Sequence, residues 1–102
     1  MKILCVCKSG NVRSITLARL LRHRGHEAIG AGLKQPTLLP LLCEWAERIY
    51  AMDREIGMQL VTAGWVEKVR TTYVVGLDDW KVPDHPDLLR RLRDLVEDHP
   101  PE

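Results

Sequence analysis

The apolar run Ile3-Leu4-Cys5-Val6 constrains the fold of this chain more than any other stretch. Its residues do not alternate between apolar and polar, so a strand over residues 2–6 must be buried on both of its faces. Strands of this kind belong to parallel sheets covered by helices on each side, because parallel strands need long crossover connections. The run therefore predicts an α/β fold.

The rest of the chain alternates strand-like and helix-like patterns. Further strands are predicted over residues 26–31, 48–52 and 71–75. A helix is predicted over 14–24, with Gly25 as its stop, and a second over 38–45, with Thr37 as N-cap and Pro40 in the first turn. A third helix is predicted to follow the cap Asp53, to carry Ile56, Leu60 and Val61, and to stop at Gly64. The last predicted helix places Leu88, Leu92, Leu95 and Val96 on one face and ends at His99. This β-α-β-α-β-α-β-α order predicts a doubly wound, four-stranded parallel sheet with helices on both faces.

The segment that follows the first strand is rich in small residues. It reads Cys7-Lys8-Ser9-Gly10-Asn11-Val12-Arg13-Ser14. Gly10 and Asn11 tolerate positive φ, so the turn can direct successive backbone N–H groups at one point. The start of the next helix attracts anions, and the Arg13 guanidinium can bind two phosphate oxygens at once. We expect residues 8–14 to form a phosphate-binding loop.

Cys7 is the expected nucleophile of this loop. A free thiol has a pKa near ~8.5, but a helix N-terminus and an arginine favour the reactive thiolate at neutral pH. Ser14 can hydrogen-bond the sulfur and assist its later release, and Lys8 adds positive potential. In doubly wound sheets ligands bind at the carboxyl ends of the strands, where Cys7 lies. Local chemistry and topology therefore indicate the same site.

The spacing Cys7, five residues, Arg13 and Ser14 resembles the signature of the low-molecular-weight protein tyrosine phosphatases. The stretch 44–53, Glu-Trp-Ala-Glu-Arg-Ile-Tyr-Ala-Met-Asp, is similar to the family segment that ends in a Met-Asp pair. Pro86-Asp87-Leu88-Leu89 and the shortness of the chain are most similar to a short bacterial branch of predicted phosphatases. The glycine and asparagine of the loop stand one place later than in the usual family order.

Asp78-Asp79-Trp80 stands where that family has its acid loop, usually Asp-Pro-aromatic. The resemblance implies thiolate attack on a phosphomonoester, a phosphocysteine intermediate, and Asp78 as general acid, with Asp79 as the alternative acid. A departing phenolate also needs a proton on chemical grounds, which a carboxylic acid over the pocket can supply. Two roles are open for Trp80: it would wall the pocket and stack on an aryl group, or it would cover the hydrophobic core, as a tryptophan after a strand equally often does. The implied substrate is a phosphotyrosine protein or a small aryl phosphate, and the product is inorganic phosphate.

Two other functions stay open. An arsenate reductase on the same fold would need further cysteines to accept oxidation, and Cys43 is the one cysteine that follows the loop. A non-catalytic binder of phosphate or a phospho-ligand is favoured by the shifted Gly-Asn pair and by Ile15, which replaces the proline usual after the serine. An acid at position 78 discriminates between these readings, because a pure binder does not need one.

Charge and cysteine content exclude several function classes. Fifteen basic and fourteen acidic residues give a net charge of +1, so no global field favours nucleic acid or anionic lipid. The apolar start is too short for a signal peptide or membrane span. With 102 residues, of which 45% are hydrophobic, we expect one domain over residues 1–102. Three cysteines without metal-ligand spacing indicate reduced thiols, a cytoplasmic location, and no metal or cofactor.

Overall fold

A computed structural model of the protein describes residues 1–8, 13–33, 37–52, 54–65, 71–73 and 86–100, with the backbone alone for 71–73. Its elements in chain order are β1 (Lys2–Cys7), α1 (Arg13–His23), β2 (Glu27–Gly32), α2 (Leu39–Trp45), β3 (Arg48–Ala51), α3 (Arg54–Thr62), β4 (Thr71–Tyr73) and α4 (Pro86–Asp98). The predicted cap Asp53 and residues 74–75 of the predicted fourth strand lie outside the described residues. The prediction of an α/β fold with alternating strands and helices is confirmed.

The strands form a parallel sheet in the order β2-β1-β3-β4. β1 therefore lies between two neighbours, with Cys7 beside Gly32 of β2 and Val6 beside Ala51 of β3. Each residue from Ile3 to Val6 is 0% exposed, so the sheet is covered on both faces at this strand. The unbroken apolar run of β1 is thus explained by burial on two sides.

The directions of a few side chains identify the helices on each face. A Cβ built on Gly30 would point at the backbone of Ser14, so α1 lies on that face of the sheet. Cys5 is the register neighbour of Gly30 and also of Tyr50, so these residues share the α1 face. The Tyr50 hydroxyl donates to the carbonyl oxygen of His99, just after α4, and α4 packs against α1. Right-handed crossovers then put α2 and α3 on the opposite face.

Glycines end α1 and α3 in the same way. Gly25 has φ +90° and Gly64 has φ +78°, a region that side chains other than glycine rarely occupy. After α1 the N–H of Gly25 donates to the carbonyl of Arg22, and the N–H of His26 donates to that of Leu21. These are the two hydrogen bonds of a Schellman motif. The helix stops predicted at both glycines are confirmed.

Two predicted helix starts were wrong. The N-cap of α2 is Leu38 rather than Thr37, with φ −92° and ψ −24° and no side-chain capping hydrogen bond. Pro40 does not fix the first residue of the helix, because its missing N–H is tolerated at any position of the first turn. α1 begins at Arg13 rather than Ser14, so the arginine belongs to the first turn of the helix.

Tyr50 connects the sheet to the end of α4 and yields a prediction about alkaline stability. Tyr50 is 1% exposed. Burial is the main cause that raises the pKa of Tyr50 to about 12, and the nearby Cys5 raises it to a smaller extent. In the unfolded chain a tyrosine ionises near ~10, so above that pH the unfolded state binds fewer protons than the folded state. The stabilising hydrogen bond of the neutral hydroxyl is therefore complete below pH ~10 and is lost as the pH rises toward 12.

We expect the free energy of unfolding of the wild type to fall between pH 10 and 12 by up to ~1.4 kcal/mol per pH unit from this residue. Tyr50→Phe should lower stability at pH 8 by about 1 kcal/mol through loss of the hydrogen bond, and should flatten the alkaline part of the curve. Denaturant titrations at a series of pH values measure both effects. Equal alkaline slopes in the two proteins would contradict the assignment.

Candidate active site

Cys7 is the last residue of β1, and its side chain is 2% exposed. The chain leaves β1 toward β2 on one side and later reaches β3 on the other, so the carboxyl end of β1 is the switch point in strand order. Ligands of open α/β sheets bind at such points. The N–H of Leu33 donates to the Cys7 carbonyl at 3.0 Å, and the N–H of Met52 donates to that of Val6 at 2.9 Å. The backbone at the cysteine is therefore held from both sides.

Ser14 is a hydrogen-bond partner of the Cys7 sulfur. Its Oγ lies 3.2 Å from Cys7 Sγ, and the residue is 0% exposed. In the thiol form the S–H donates to the hydroxyl oxygen, whereas a thiolate would accept the hydroxyl hydrogen instead. The same contact can therefore serve both protonation states of the sulfur. The structure brings these two predicted site residues together because the first turn of α1 lies over the end of β1.

Arg13 opens α1 and is 9% exposed. The N–H groups of a first helical turn have no acceptors within the helix, and the helix dipole makes this end positive. The first turn of α1 contains no acidic residue to offset that potential. Arg13 is therefore a nearly buried arginine directly before Ser14, at the end of α1 whose N–H groups and dipole attract anions.

The sheet divides the three cysteines, all of which are thiols. Cys5 lies two residues before Cys7 on the same face and is 0% exposed, and burial raises its pKa above the ordinary value. Cys43 is also 0% exposed but belongs to α2, on the opposite face. Cys7 is thus the cysteine at the carboxyl edge of β1.

The remaining predicted site residues have separate outcomes. Lys8 directly follows Cys7 and is exposed. Ser9, Gly10, Asn11 and Val12 of the predicted loop lie outside the described residues, as do Asp78, Asp79 and Trp80 of the predicted acid loop. The structure therefore describes the two ends of the predicted phosphate loop, and the phosphate-binding role of its residues and the assignment of the acid stay predictions.

The part of the chain that the structure describes lacks two other kinds of feature. There, no three His, Cys, Asp or Glu side chains are grouped as ligands of a metal ion would be. Among the same residues, no helix combines the length and apolar character needed to cross a membrane.

Gly30 was not identified as part of this site from the sequence. A Cβ at this position would lie 3.0 Å from the carbonyl carbon and oxygen of Ser14 and from the amide nitrogen of Ile15. The first turn of α1 therefore packs on β2 where β2 has no side chain. A glycine inside a strand pattern often marks close approach of another backbone, and this was the available signal.

Comparison with solved structures shows the same fold in another protein. The chain is similar to the YwlE arginine phosphatase from Geobacillus stearothermophilus, with a TM-score of 0.69 and 19% sequence identity, over 94% of this chain and 86% of that one. At this identity the likeness establishes the fold. No protein-family model and no curated protein sequence matches the chain.

Proposed function

We propose that residues 1–102 form one phosphatase-like domain, doubly wound around a four-stranded sheet, that hydrolyses phosphomonoesters with Cys7 as the nucleophile. The observation that carries this proposal is the 3.2 Å contact between Cys7 Sγ and Ser14 Oγ at the switch point of the sheet. It joins a nucleophilic atom to the first turn of a helix, where phosphate binds readily. The fold shared with an arginine phosphatase supports hydrolysis of a phosphorylated substrate in general.

In the first step the Cys7 thiolate attacks phosphorus. The S–P bond forms while the bond from phosphorus to the leaving oxygen breaks, and Asp78, or Asp79 in its place, gives that oxygen a proton. The amides of residues 8–14 and the Arg13 guanidinium bind the three equatorial oxygens, on which the negative charge is spread. The products are an alcohol or phenol and a phosphocysteine.

In the second step water attacks the phosphocysteine. A new P–O bond forms as the S–P bond breaks, and the aspartate, now a carboxylate, accepts a proton from the water. The Ser14 hydroxyl donates to the departing sulfur, which leaves as a thiolate. Inorganic phosphate is released and the enzyme returns to its starting state, with no metal or cofactor in the sequence of steps.

A reducing compartment keeps Cys7 in its thiol form, so we assign the protein to the cytoplasm.

Phosphotyrosine proteins or small aryl phosphates are the substrates we propose, with Trp80 stacking on the ring. A second candidate is protein phosphoarginine, favoured by the activity named for the structural neighbour. In this substrate a P–N bond breaks in the first step, so the aspartate would protonate the leaving nitrogen and arginine would be the product. Wild-type protein should be assayed on p-nitrophenyl phosphate, a phosphotyrosine peptide and a phosphoarginine peptide, with phosphate release as the readout. The peptide with the larger kcat/KM identifies the class. If none releases phosphate, the hydrolase proposal is wrong, and retained phosphate binding would then support the non-catalytic binder.

The placement of Cys43 disfavours the arsenate reductase alternative. In such a reductase, further thiols of the same chain must attack the oxidised first cysteine and form a disulfide with it. The sheet lies between Cys43 in α2 and Cys7 on the α1 face, so direct sulfur exchange between them would require the fold to open.

Phosphate binding should stabilise the folded protein through Arg13. At a hundredfold excess over Kd, binding to the native state alone adds ~2.7 kcal/mol, a rise in Tm of roughly 10 °C for a chain of this size. Arg13→Lys should lose most of this rise, because an ammonium cannot make the planar two-point contact. Thermal unfolding with and without phosphate measures the effect. Arg24→Lys, an exposed arginine beyond the other end of α1, is the matched control and should keep the full rise. A Tm insensitive to phosphate in the wild type would contradict the site.

A further inference from the structure

We propose that Gly30 is a positioning residue for the Cys7 site, because its missing side chain allows the first turn of α1 to come close enough to hold Ser14 against the sulfur. The proposal rests on the proposed function, since it assigns Gly30 a part in preparing the same nucleophile. Gly30 itself would touch neither substrate nor the reacting atoms.

The contact that Gly30 permits is between two backbones. A methyl group at position 30 would lie 3.0 Å from the carbonyl carbon and oxygen of Ser14 and from the amide nitrogen of Ile15. Atoms of a helical backbone cannot rotate out of the way as the end of a flexible side chain can. The first turn of α1 would therefore have to move by a few tenths of an ångström.

Such a movement would be transmitted directly to the sulfur's partner. The displaced peptide joins Ser14 to Ile15, and Ser14 Oγ lies 3.2 Å from Cys7 Sγ. Gly30 is the register neighbour of Cys5 on β1, two positions before Cys7, so the strand that would displace the helix is paired with the strand that carries the nucleophile. Moving the turn away from the sheet lengthens the contact between Ser14 and Cys7, and it carries Arg13 with it.

The effect of Gly30→Ala should appear in the ionisation of Cys7. Weakening one hydrogen bond to the thiolate should raise the pH midpoint of Cys7 alkylation by iodoacetamide by about 0.7, a fivefold change in the ionisation equilibrium that corresponds to ~1 kcal/mol. Cys5 and Cys7 share the tryptic peptide of residues 3–8, so fragment ions in tandem mass spectrometry assign the alkylated sulfur, while Cys43 lies in a different peptide. The rise in Tm caused by phosphate should also shrink, since Arg13 moves with the turn.

Ile29→Ala is the matched control. Ile29 is the neighbour of Gly30 on β2, and its side chain points to the opposite face because successive residues of a strand alternate. This variant should destabilise the same strand while leaving the alkylation midpoint and the phosphate effect at their wild-type values. A purely structural role for Gly30 would make the two variants behave alike, with lower stability and an unchanged midpoint, and that result would overturn the proposal.

Two further outcomes are decisive. If Gly30→Ala does not fold, Ser14→Ala takes its place, because it removes the same hydrogen bond by deleting the hydroxyl. An unchanged alkylation midpoint in Ser14→Ala would show that this contact does not affect the ionisation of Cys7, and it would overturn the proposal. Alkylation needs no turnover, so the positioning role and the hydrolase function fail separately. A shifted midpoint in a protein that hydrolyses no phosphate ester would support the positioning role while rejecting the hydrolase.

Discussion

Cys7→Ser is expected to lower phosphate-ester turnover by a factor on the order of 10⁴ or more while leaving phosphate binding in place. A serine hydroxyl at this position stays protonated near neutral pH, whereas the thiol can supply a thiolate, so the variant lacks an effective nucleophile. In the proposed site, phosphate binding depends on the loop amides and on Arg13, which the change does not remove. Hydrolysis of p-nitrophenyl phosphate and the shift of Tm in phosphate measure the two properties separately.

Cys43→Ser is the control for this experiment. It makes the same chemical change at a thiol that is 0% exposed, on the face of the sheet away from Cys7. We expect this variant to lose stability, because a hydroxyl is buried, but to keep its turnover per folded molecule. Turnover retained by Cys7→Ser would reject the covalent mechanism. Loss of phosphate binding together with turnover would instead show that the loop depends on the thiolate for its conformation.

The second large effect is expected at the acid. Asp78→Ala should reduce turnover by ~10²–10⁴-fold on phenyl phosphate or phosphotyrosine, whose leaving oxygen needs a proton, and much less on p-nitrophenyl phosphate, whose leaving group departs as an anion. Asp79→Ala should have a mild effect on both substrates. The ratio of kcat/KM values for the two substrates is the measurement, because a general loss of folding would lower both equally.

The outcomes of this comparison separate the alternatives for the acid. A substrate-dependent loss in Asp79→Ala alone would reverse the roles of the two aspartates. A loss in neither variant would mean that no acid acts from this loop, and the binder alternative would gain. Asp87→Ala removes a 55% exposed carboxylate that pairs with Arg90 on the surface of α4, and it should leave both rates unchanged.

Local signals in the sequence were sufficient for most of the fold. The fully apolar β1 could be predicted because burial on both faces removes the need for any polar residue, and Gly25 and Gly64 mark helix ends because they supply positive φ. The start of α2 could not be predicted from Thr37. A capping residue or a proline can occupy more than one position around the start of a helix, and tertiary packing decides which residue begins the helix.

The same distinction applies to the candidate site. Cys7 and Ser14 could be proposed as partners because a strand, a short turn and a helix bring residues of that spacing together. The role proposed for Gly30 depends on the distance between α1 and β2, which is set by packing rather than by a pattern in either segment. Close approach of two backbones is a property of the folded chain, and a single glycine is a weak signal of it.

The division of the cysteines by the sheet has a consequence for oxidative damage. Peroxide converts a reactive thiolate to a sulfenic acid, which is rescued when a second thiol condenses with it to form a disulfide. Cys43 lies beyond the sheet. Cys5 is two residues before Cys7 on a regular strand that is paired on both edges, so their Cβ atoms point the same way and lie about 6.6 Å apart, more than the ~3.5–4.5 Å that a disulfide requires. No thiol of the chain is therefore placed to rescue an oxidised Cys7, and recovery of the protein would depend on small thiols or reductases supplied by the cell.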